Sequence, residues 1–415
     1  MEVKKIFIIA GEASGDLLGA GVMSALLPLP LGEGWGEGSQ SKLETSSSGQ
    51  VPSPQPSPRG RGSISFIGIG GARMQAQGLQ SIFPMQELSV MGFAEVLPHA
   101  WRILKRLRQT VAAVEAANPD ILLTIDSPGF CFRLVKKLRQ RGRVRPLFIH
   151  YVAPSVWAYK PERAAKTAKL FDKLLVLFPF EPAYFIKEGL ETIFVGHPIA
   201  NISMQGEGEN FRKKHNIPPE QKILAMFPGS RMGELKYLLP IYKETAQLLA
   251  DNNLQIVMPI LPQLVAFVTE KTKNWASKII IISDDQEKKD ALAASSCALV
   301  KSGTISLEVA KAGVPMVTCY KAHPISVWLV RKLIKIQHVN LINIILGKTI
   351  IPEFLQENCT AEKLSAALNQ LINSPQMQTE QKQAFTSAIN QLKASDGIDT
   401  STKIANILAS STISR

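Results

Sequence analysis

The sequence predicts an α/β protein built from two doubly wound, Rossmann-like domains. Short apolar runs typical of buried parallel strands alternate with helical patterns along most of the 415 residues. The alternation is interrupted by a polar, irregular stretch at residues 199–221. We therefore expect an N-terminal domain over residues 1–198, a linker over 199–221 and a C-terminal domain over 222–415, whose last helix is a candidate to pack back on the first domain.

The composition is that of a globular chain with a basic surface. Hydrophobic residues make up 45% of the chain and charged residues 20%. The net charge of +13 favours phosphate-bearing partners, namely nucleic acid, an anionic membrane or a nucleotide-like ligand, but it does not select one. The four cysteines are far apart and predict buried thiols in a reducing compartment. We find no signal-peptide pattern and no uninterrupted apolar span, so we expect a cytoplasmic location.

The first predicted strand, Ile6–Ala10, ends in an acidic turn that leads into a helix near Leu17. This turn lacks the Gly-Lys-Ser/Thr of a phosphate-binding loop. Its carboxylates, Glu12 and Asp16, would repel phosphate and would suit sugar hydroxyls. A plain structural turn is the alternative interpretation.

Residues 28–62 change in composition to Pro, Gly and Ser and predict a disordered insert. Its two ends, residues 32–38 and 52–58, can be encoded by complementary DNA strands. We therefore interpret the insert as a translated inverted repeat that has no function in the protein.

A basic and apolar segment follows the next predicted strand. Val90–Ala94 leads into a predicted helix over Val96–Ala117. Apolar residues beside a cationic face would dock on an anionic bilayer, although a core helix with a solvated side explains the pattern equally well. The candidate membrane residues are Met91, Phe93, Trp101, Arg102 and Arg106, and Trp328–Lys335 has the same character.

A carboxylate follows the predicted strand Ile121–Ile125. In an open parallel sheet, residues just past the carboxyl end of a strand line the ligand crevice. Asp126 is therefore a candidate general base, with a helix-capping role as the alternative. Further on, aromatic residues such as Trp157 could hold a sugar phosphate together with Lys160 and Arg163, whereas core packing is the other interpretation of Trp157.

The second half begins with a strand that ends in Pro228-Gly229-Ser230-Arg231. A strand that turns into a helix in this way presents backbone N–H groups and the positive helix end, which suits a phosphate, although an ordinary βα turn is the alternative. A similar corner occurs at residues 301–304, and Glu308 beyond it could take ribose hydroxyls. Because the sequence has no Asp-x-Asp or other metal motif, Arg231 and helix ends would neutralise a nucleotide diphosphate. This pattern predicts a metal-independent glycosyltransferase that uses a sugar nucleotide and needs no cofactor.

Ordered motifs along nearly the whole chain, apart from residues 28–62, resemble those of lipid-A-disaccharide synthase. They are Gly11-Glu12-Ala13-Ser14-Gly15-Asp16, Val90-Met91-Gly92, Asp126-Ser127-Pro128, the run from Tyr151 to Ala158, Gly196-His197-Pro198, Pro228-Gly229-Ser230-Arg231 with Glu234, Ser302-Gly303-Thr304 with Glu308, and Asn343 through Pro352-Glu353 to Gln356.

The resemblance implies a GT-B fold with two domains facing a cleft. It also implies an inverting transfer of 2,3-diacylglucosamine from UDP to lipid X (2,3-diacylglucosamine 1-phosphate) at the cytoplasmic face of the inner membrane, on which the protein would be peripheral. Nucleic acid is not an expected partner, and homo-oligomerisation stays open. The residues implied to bind the UDP donor are Gly229, Ser230, Arg231, Glu234, Gly303, Thr304, Glu308, Asn343 and Gln356.

The N-terminal half would bind the acceptor through Glu12, Ser14, Gly15 and Asp16. An inverting transfer needs a base on the acceptor hydroxyl and charge stabilisation on the departing diphosphate. We assign the first role to Asp126 and the second to Arg231.

Two other classes of protein remain as alternatives. Another GT-B enzyme that uses a UDP-sugar, such as an epimerase or a cell-wall lipid glycosyltransferase, would share many of these features. A basic nucleic-acid-binding module is less well supported, because the charge is spread along the chain and only 7% of residues are aromatic.

Overall fold

The computed structural model describes residues 5–27, 64–88, 93–250, 253–322 and 337–411, with the backbone alone for residues 93–100. The insert predicted at residues 28–62, the candidate membrane residue Met91 and the segment Trp328–Lys335 lie outside the described residues.

The first sheet has seven strands in the order β3-β2-β1-β4-β5-β6-β7. Strand β1 pairs in parallel with both β2 and β4. Sequence order therefore reverses direction at β1 and β4, which makes this position the topological switch point of the sheet. The strands are β1 Lys5–Ala10, β2 Ser65–Ile69, β3 Gln80–Ser81, β4 Ile121–Ile125, β5 Leu147–Tyr151, β6 Lys173–Val176 and β7 Glu191–Phe194.

The second sheet has six strands in the order β10-β9-β8-β11-β12-β13. Strand β8 pairs in parallel with both β9 and β11, so the switch point lies between β8 and β11. The strands are β8 Lys222–Phe227, β9 Leu254–Pro259, β10 Ile279–Ile282, β11 Cys297–Lys301, β12 Met316–Tyr320 and β13 Glu353–Leu355.

Helices alternate with the strands in the order that the sequence predicts. They are α1 Ala13–Leu26, α2 Ala72–Ala76, α3 Phe93–Ala117, α4 Pro128–Arg141, α5 Arg163–Ala168, α6 Pro182–Ile186, α7 Gly208–His215, α8 Met232–Leu248, α9 Val265–Thr272, α10 Asp285–Ala294, α11 Ile305–Lys311, α12 Leu341–Leu346, α13 Ala361–Asn373, α14 Pro375–Gln391 and α15 Thr400–Ser410. None of the helices in the described ranges is both long and apolar enough to cross a membrane.

Both faces of the second sheet are covered, as an all-parallel sheet requires. Leu224 and Met226 of β8 pack in a core that includes Leu238 of α8. The alternate residues Ala225 and Phe227 pack on the other face in a second core, with α11 and α14. Because both faces of β8 are buried, its residues form a continuous apolar run in the sequence.

The predicted fold class of two doubly wound α/β sheets is confirmed. The stretch 199–221, interpreted as irregular, contains helix α7, and this interpretation was wrong. Phe211 of α7 is buried, and the guanidinium of Arg212 donates to the carbonyl oxygens of Pro218 and Gln221. The four cysteines are free and buried, as predicted.

Contacts divide the described chain into two compact units. One comprises residues from 1–151, 170–172 and 401–415, and the other comprises residues from 152–169 and 173–400. The domain limits that we derived from the sequence stay predictions.

Candidate functional site

The loops at the switch point of the second sheet form the candidate site. Strands β8 and β11 are neighbours, with Phe227 opposite Val300. Each strand ends in a short loop that starts a helix, α8 after β8 and α11 after β11. Because parallel strands end at the same edge, the two predicted phosphate corners are adjacent.

The loop after β8 makes a tight turn at Gly229, whose φ of 121° favours glycine. The N–H of the next residue, Ser230, donates to Glu234 Oε2 at 3.0 Å. Arg231 is the N-cap residue of α8, and its side chain is exposed. The carboxylate of Glu234 therefore lies over the predicted phosphate corner.

Strand β11 ends in a lysine, Lys301, that was not among the predicted site residues. Lys301 Nζ lies 2.8 Å from Glu234 Oε1, and both side chains are largely buried. Beyond it, the Ser302 hydroxyl donates to the carbonyl oxygen of Val339 at 2.8 Å, which anchors the loop. Lys301 thus joins the two corners through Glu234.

A second ion pair forms between α10 and α11. Lys288 Nζ lies 2.8 Å from Glu308 Oε2 and 3.2 Å from Asp285 Oδ1. Burial lowers the pKa of Lys288, but the carboxylates of Glu308 and Asp285 raise it by more, so its pKa lies above the ordinary value. Lys288 is therefore a cation at neutral pH.

These loops enclose a cavity of about 720 Å³, a size typical of small-molecule sites. Lys288 and Lys301 line it as well. In the sequence, Lys301 is marked only as part of the corner at residues 301–304, and nothing distinguishes Lys288 from its neighbours on α10. Seven of the nine residues predicted to bind the donor line the cavity, namely Gly229, Ser230, Arg231, Glu234, Gly303, Thr304 and Glu308.

The other two predicted donor residues do not line this cavity. Asn343 is fully buried, and its amide nitrogen donates to Ile351 O at 2.8 Å and to Glu353 Oε1 at 2.7 Å. Its amide oxygen accepts from the N–H groups of Ile350 and Ile351. Gln356 Oε1 accepts from the N–H of Ala322 at 3.3 Å. The donor-binding roles of Asn343 and Gln356 stay predictions.

The switch point of the first sheet brings the acidic turn and Asp126 together. A side-chain carbon at Gly11 would clash with the hydroxyl of Ser127, so the two loops are in close contact. Asp126 and Ser127 both have positive φ values, 50° and 46°, which are strained for residues other than glycine. Glu12 and the Asp126 side chain are half-buried near this contact, and Ser14 is exposed.

Asp16 makes structural hydrogen bonds that the sequence did not predict. Its side chain is buried, and its carboxylate accepts from the N–H groups of Gly71 (2.7 Å), Arg73 (3.1 Å) and Met74 (3.1 Å). These N–H groups belong to the start of α2, so Asp16 caps this helix from a distant part of the chain. Gly15 beside it is buried. Binding of the acceptor by these two residues stays a prediction.

Helix α3 presents part of the predicted membrane surface to solvent. Trp101 is 80% exposed and Leu104 is 41% exposed. Arg102 is also exposed. Arg106, in contrast, forms a bidentate ion pair with Glu87, in which Nε donates to Oε2 at 2.7 Å and Nη2 contacts Oε1. The side chain of Phe93 lies outside the described residues.

Two buried titratable groups lie away from the cavity. His150 stacks on Phe171 and lies 2.8 Å from the hydroxyl of Thr124 through Nδ1, and burial lowers its pKa to about 3. Glu181 accepts from the indole N–H of Trp157 at 3.3 Å, and burial raises its pKa to about 7. Trp157 also packs against the hydrophobic core, in agreement with the packing interpretation.

Comparison with known proteins identifies close sequence relatives. The family model described as lipid-A-disaccharide synthetase matches residues 41–407. A lipid-A-disaccharide synthase of Rhodospirillum centenum is 42% identical over 94% of this chain and 90% of its own length. One of Gluconobacter oxydans is 38% identical over 97% of this chain and 90% of its own length.

Solved structures are similar in fold but distant in sequence. The chain MnaA of S. aureus, solved with UDP, has a TM-score of 0.61 at 14% identity and covers 97% of this chain and 95% of its own. A UDP-GlcNAc 2-epimerase of Methanocaldococcus jannaschii, solved with UDP-GlcNAc and UDP, has a TM-score of 0.59 at 14% identity, over 98% of this chain and 100% of its own. At this level of identity the likeness shows the fold, which is the GT-B fold that the sequence analysis predicts.

Proposed function

Because this chain belongs to the lipid-A-disaccharide synthase family, we propose that it condenses UDP-2,3-diacylglucosamine with lipid X. The products would be the β-linked lipid A disaccharide 1-phosphate and UDP. The chain is accordingly a hexosyltransferase of lipid A biosynthesis.

The cavity at the second switch point is the observation that carries this proposal. It combines a glycine turn, helix starts and the cationic side chains of Arg231 and Lys301 within about 720 Å³. Cations and helix N-termini stabilise a diphosphate both in the donor and in the departing UDP. Glu308 at the same cavity suits the ribose hydroxyls, since carboxylates accept hydrogen bonds from vicinal hydroxyls.

We assign acceptor activation to the first switch point. Asp126 would take the proton of the attacking hydroxyl, and Glu12 and Ser14 would bind sugar hydroxyls near it. The contact between the Gly11 and Ser127 loops supports this assignment, because it brings the acidic turn to the Asp126 loop. Arg231 would stabilise the negative charge that develops on the UDP leaving group.

Both substrates carry acyl chains, so the enzyme has to work at a lipid surface. Trp101, Leu104, Lys105 and Arg108 follow a spacing of three and four residues on α3, which puts them on one side of the helix. All four are exposed and combine apolar with cationic groups, as membrane-surface helices do. The proposed location is the cytoplasmic face of the inner membrane, with α3 against the anionic lipid headgroups.

The test is a two-substrate assay with purified protein and no added metal. We expect UDP release only when UDP-2,3-diacylglucosamine and lipid X are both present, together with formation of a disaccharide lipid. Consumption of the UDP-sugar without lipid X would instead favour an epimerase, and a disaccharide formed only with another lipid acceptor would favour a cell-wall glycosyltransferase. Absence of turnover in a folded protein that binds UDP would contradict the proposed reaction.

A further inference from the structure

Lys301 occupies a position between the two phosphate corners of the cavity. Its ammonium lies 2.8 Å from Glu234 Oε1, which belongs to the helix after β8. It also lies 3.7 Å from the point that a side-chain carbon on Gly303 would occupy, next to the loop after β11. The Lys301 side chain is only 17% exposed, so its charge is directed into this confined region.

Glu234 is placed where a bound phosphate would meet the first corner. Its Oε2 accepts the N–H of Ser230, and a side-chain carbon on Gly229 would clash with that same oxygen. One carboxylate thus accepts from the backbone turn through one oxygen and from Lys301 through the other. These are the interactions that a phosphate oxygen would make with the same groups.

A diphosphate and the Glu234 carboxylate cannot both be stable at this position. Like charges a few ångströms apart disfavour each other, and Ser230 has only one backbone N–H to donate. Likewise, the ammonium of Lys301 attracts a phosphate most strongly when the Glu234 carboxylate does not neutralise it. Binding of the donor therefore requires Lys301 and the Ser230 N–H to change partners.

We propose that Lys301 is a second diphosphate-binding cation of the donor site, beside Arg231, and that Glu234 is its resting counterion, which the diphosphate displaces. This inference rests on the proposed function for the identity of the donor as a nucleoside diphosphate sugar. In the empty site, Glu234 pairs with the largely buried lysine and accepts from the backbone turn. In the occupied site, the diphosphate takes over both.

A comparable ion pair in the same cavity provides a matched control. Lys288 and Glu308 are also 2.8 Å apart, with side chains 21% and 31% exposed. In the proposed function Glu308 binds the ribose, so Lys288 acts on the nucleoside and not on the diphosphate. Loss of Lys288 should thus affect uridine and UDP by similar factors, whereas loss of Lys301 should affect UDP alone.

The experiment measures the dissociation constants of UDP and uridine by calorimetry for the unaltered protein and three variants. Lys301→Met should weaken UDP binding at least tenfold, which corresponds to about 1.4 kcal/mol, and leave uridine binding within about twofold. Glu234→Gln should strengthen UDP binding, since the competing anion is removed while the side-chain shape is kept. Lys288→Met should weaken both ligands by a similar factor.

Two results would overturn the proposal. If Glu234→Gln weakens UDP binding as much as Lys301→Met does, the pair is a structural tie between loops and not a displaceable counterion. If Lys301→Met weakens uridine as much as UDP, the lysine acts on the shape of the whole cavity. Lys301→Arg, which keeps the charge, should retain most of the UDP affinity. This variant distinguishes loss of the charge from misfolding caused by substitution at this position. UDP binding needs no acceptor, so these results are separate from the two-substrate assay: absence of transfer with normal UDP binding would contradict the proposed function alone.

Discussion

Removing the carboxylate of Asp16 separates its observed structural role from its predicted role in acceptor binding. The side chain accepts three N–H groups, from Gly71, Arg73 and Met74, at 2.7–3.1 Å in a buried position. A hydrogen bond to a charged group is worth about 1.5–3 kcal/mol, and desolvation of the single shared carboxylate offsets part of the sum. We therefore expect Asp16→Ala to lower the free energy of unfolding by about 3 kcal/mol.

Asp16→Asn should have an intermediate effect. One amide oxygen can replace Oδ1, which accepts from Gly71 and Met74, whereas the amide nitrogen would face the N–H of Arg73. The assay is thermal unfolding, in which about 3 kcal/mol corresponds to a midpoint shift of roughly 6–12 °C for a unit of this size. Ser14→Ala, at an exposed position of the same turn, is the control and should leave the midpoint unchanged.

An Asp16→Ala protein that unfolds at the same midpoint as the unaltered protein would show that these hydrogen bonds do not stabilise the fold. The same holds if the Asn variant is as unstable as the Ala variant, because the loss would then not follow the number of hydrogen bonds. If stability is unchanged but the Michaelis constant for lipid X rises, the carboxylate binds the acceptor and not the helix.

Four further predictions concern catalysis, pH dependence and membrane binding. Arg231→Ala should lower the turnover number about a hundredfold, the usual loss for one preorganised charge partner, and near-normal turnover in steady-state kinetics would exclude that role. Asp126→Asn should remove the acidic limb of the pH–rate profile, and an unchanged limb would show that another residue is the base. The pKa of His150 is about 3 in the folded chain and 6.5 ordinarily. Its contribution to stability is therefore complete above pH 6.5 and is lost as pH falls toward 3. In denaturant titrations at several pH values, His150→Phe should flatten this fall of the unfolding free energy by up to about 1.4 kcal/mol per pH unit. Lys105→Glu should weaken sedimentation with anionic vesicles by about tenfold and leave neutral vesicles unaffected, and unchanged binding would remove this face of α3 from the membrane surface.

The position of the cavity could be predicted because strong local patterns mark it. The strand β8 is a continuous apolar run, and the glycine turn after it is followed by a helix pattern, so the corner at Gly229–Arg231 is visible in the sequence. The second corner at Gly303 and Thr304 is marked in the same way. Pairing of β8 with β11 then brings both corners to one edge.

The ion pairs of the cavity could not be predicted, because they depend on tertiary structure. Glu234 and Lys301 are 67 positions apart, and their contact requires β8 and β11 to be neighbours. The cap that Asp16 provides to α2 is a similar case, because its hydrogen-bond donors lie at least 55 positions further along the chain. Local sequence carries no signal for either contact.

Short elements were missed for a different reason. Strands β3 and β13 have only two and three residues, too few to establish an alternating or apolar pattern. Helix α7 is strongly polar and buries only Phe211 among its eight residues, so it lacks the apolar stripe that identifies a helix from sequence. Its position is stabilised by contacts with α10.

A crystal structure of the protein with UDP would test directly whether the diphosphate replaces Glu234 as the partner of Lys301. We expect UDP in the cavity between the β8 and β11 loops, with the diphosphate within hydrogen-bonding distance of the Ser230 N–H and Lys301, and with the ribose on Glu308. The carboxylate of Glu234 should have left Lys301 and the turn at Gly229. UDP bound at another place, or in the cavity with the Glu234–Lys301 pair intact, would exclude displacement of Glu234 by the diphosphate.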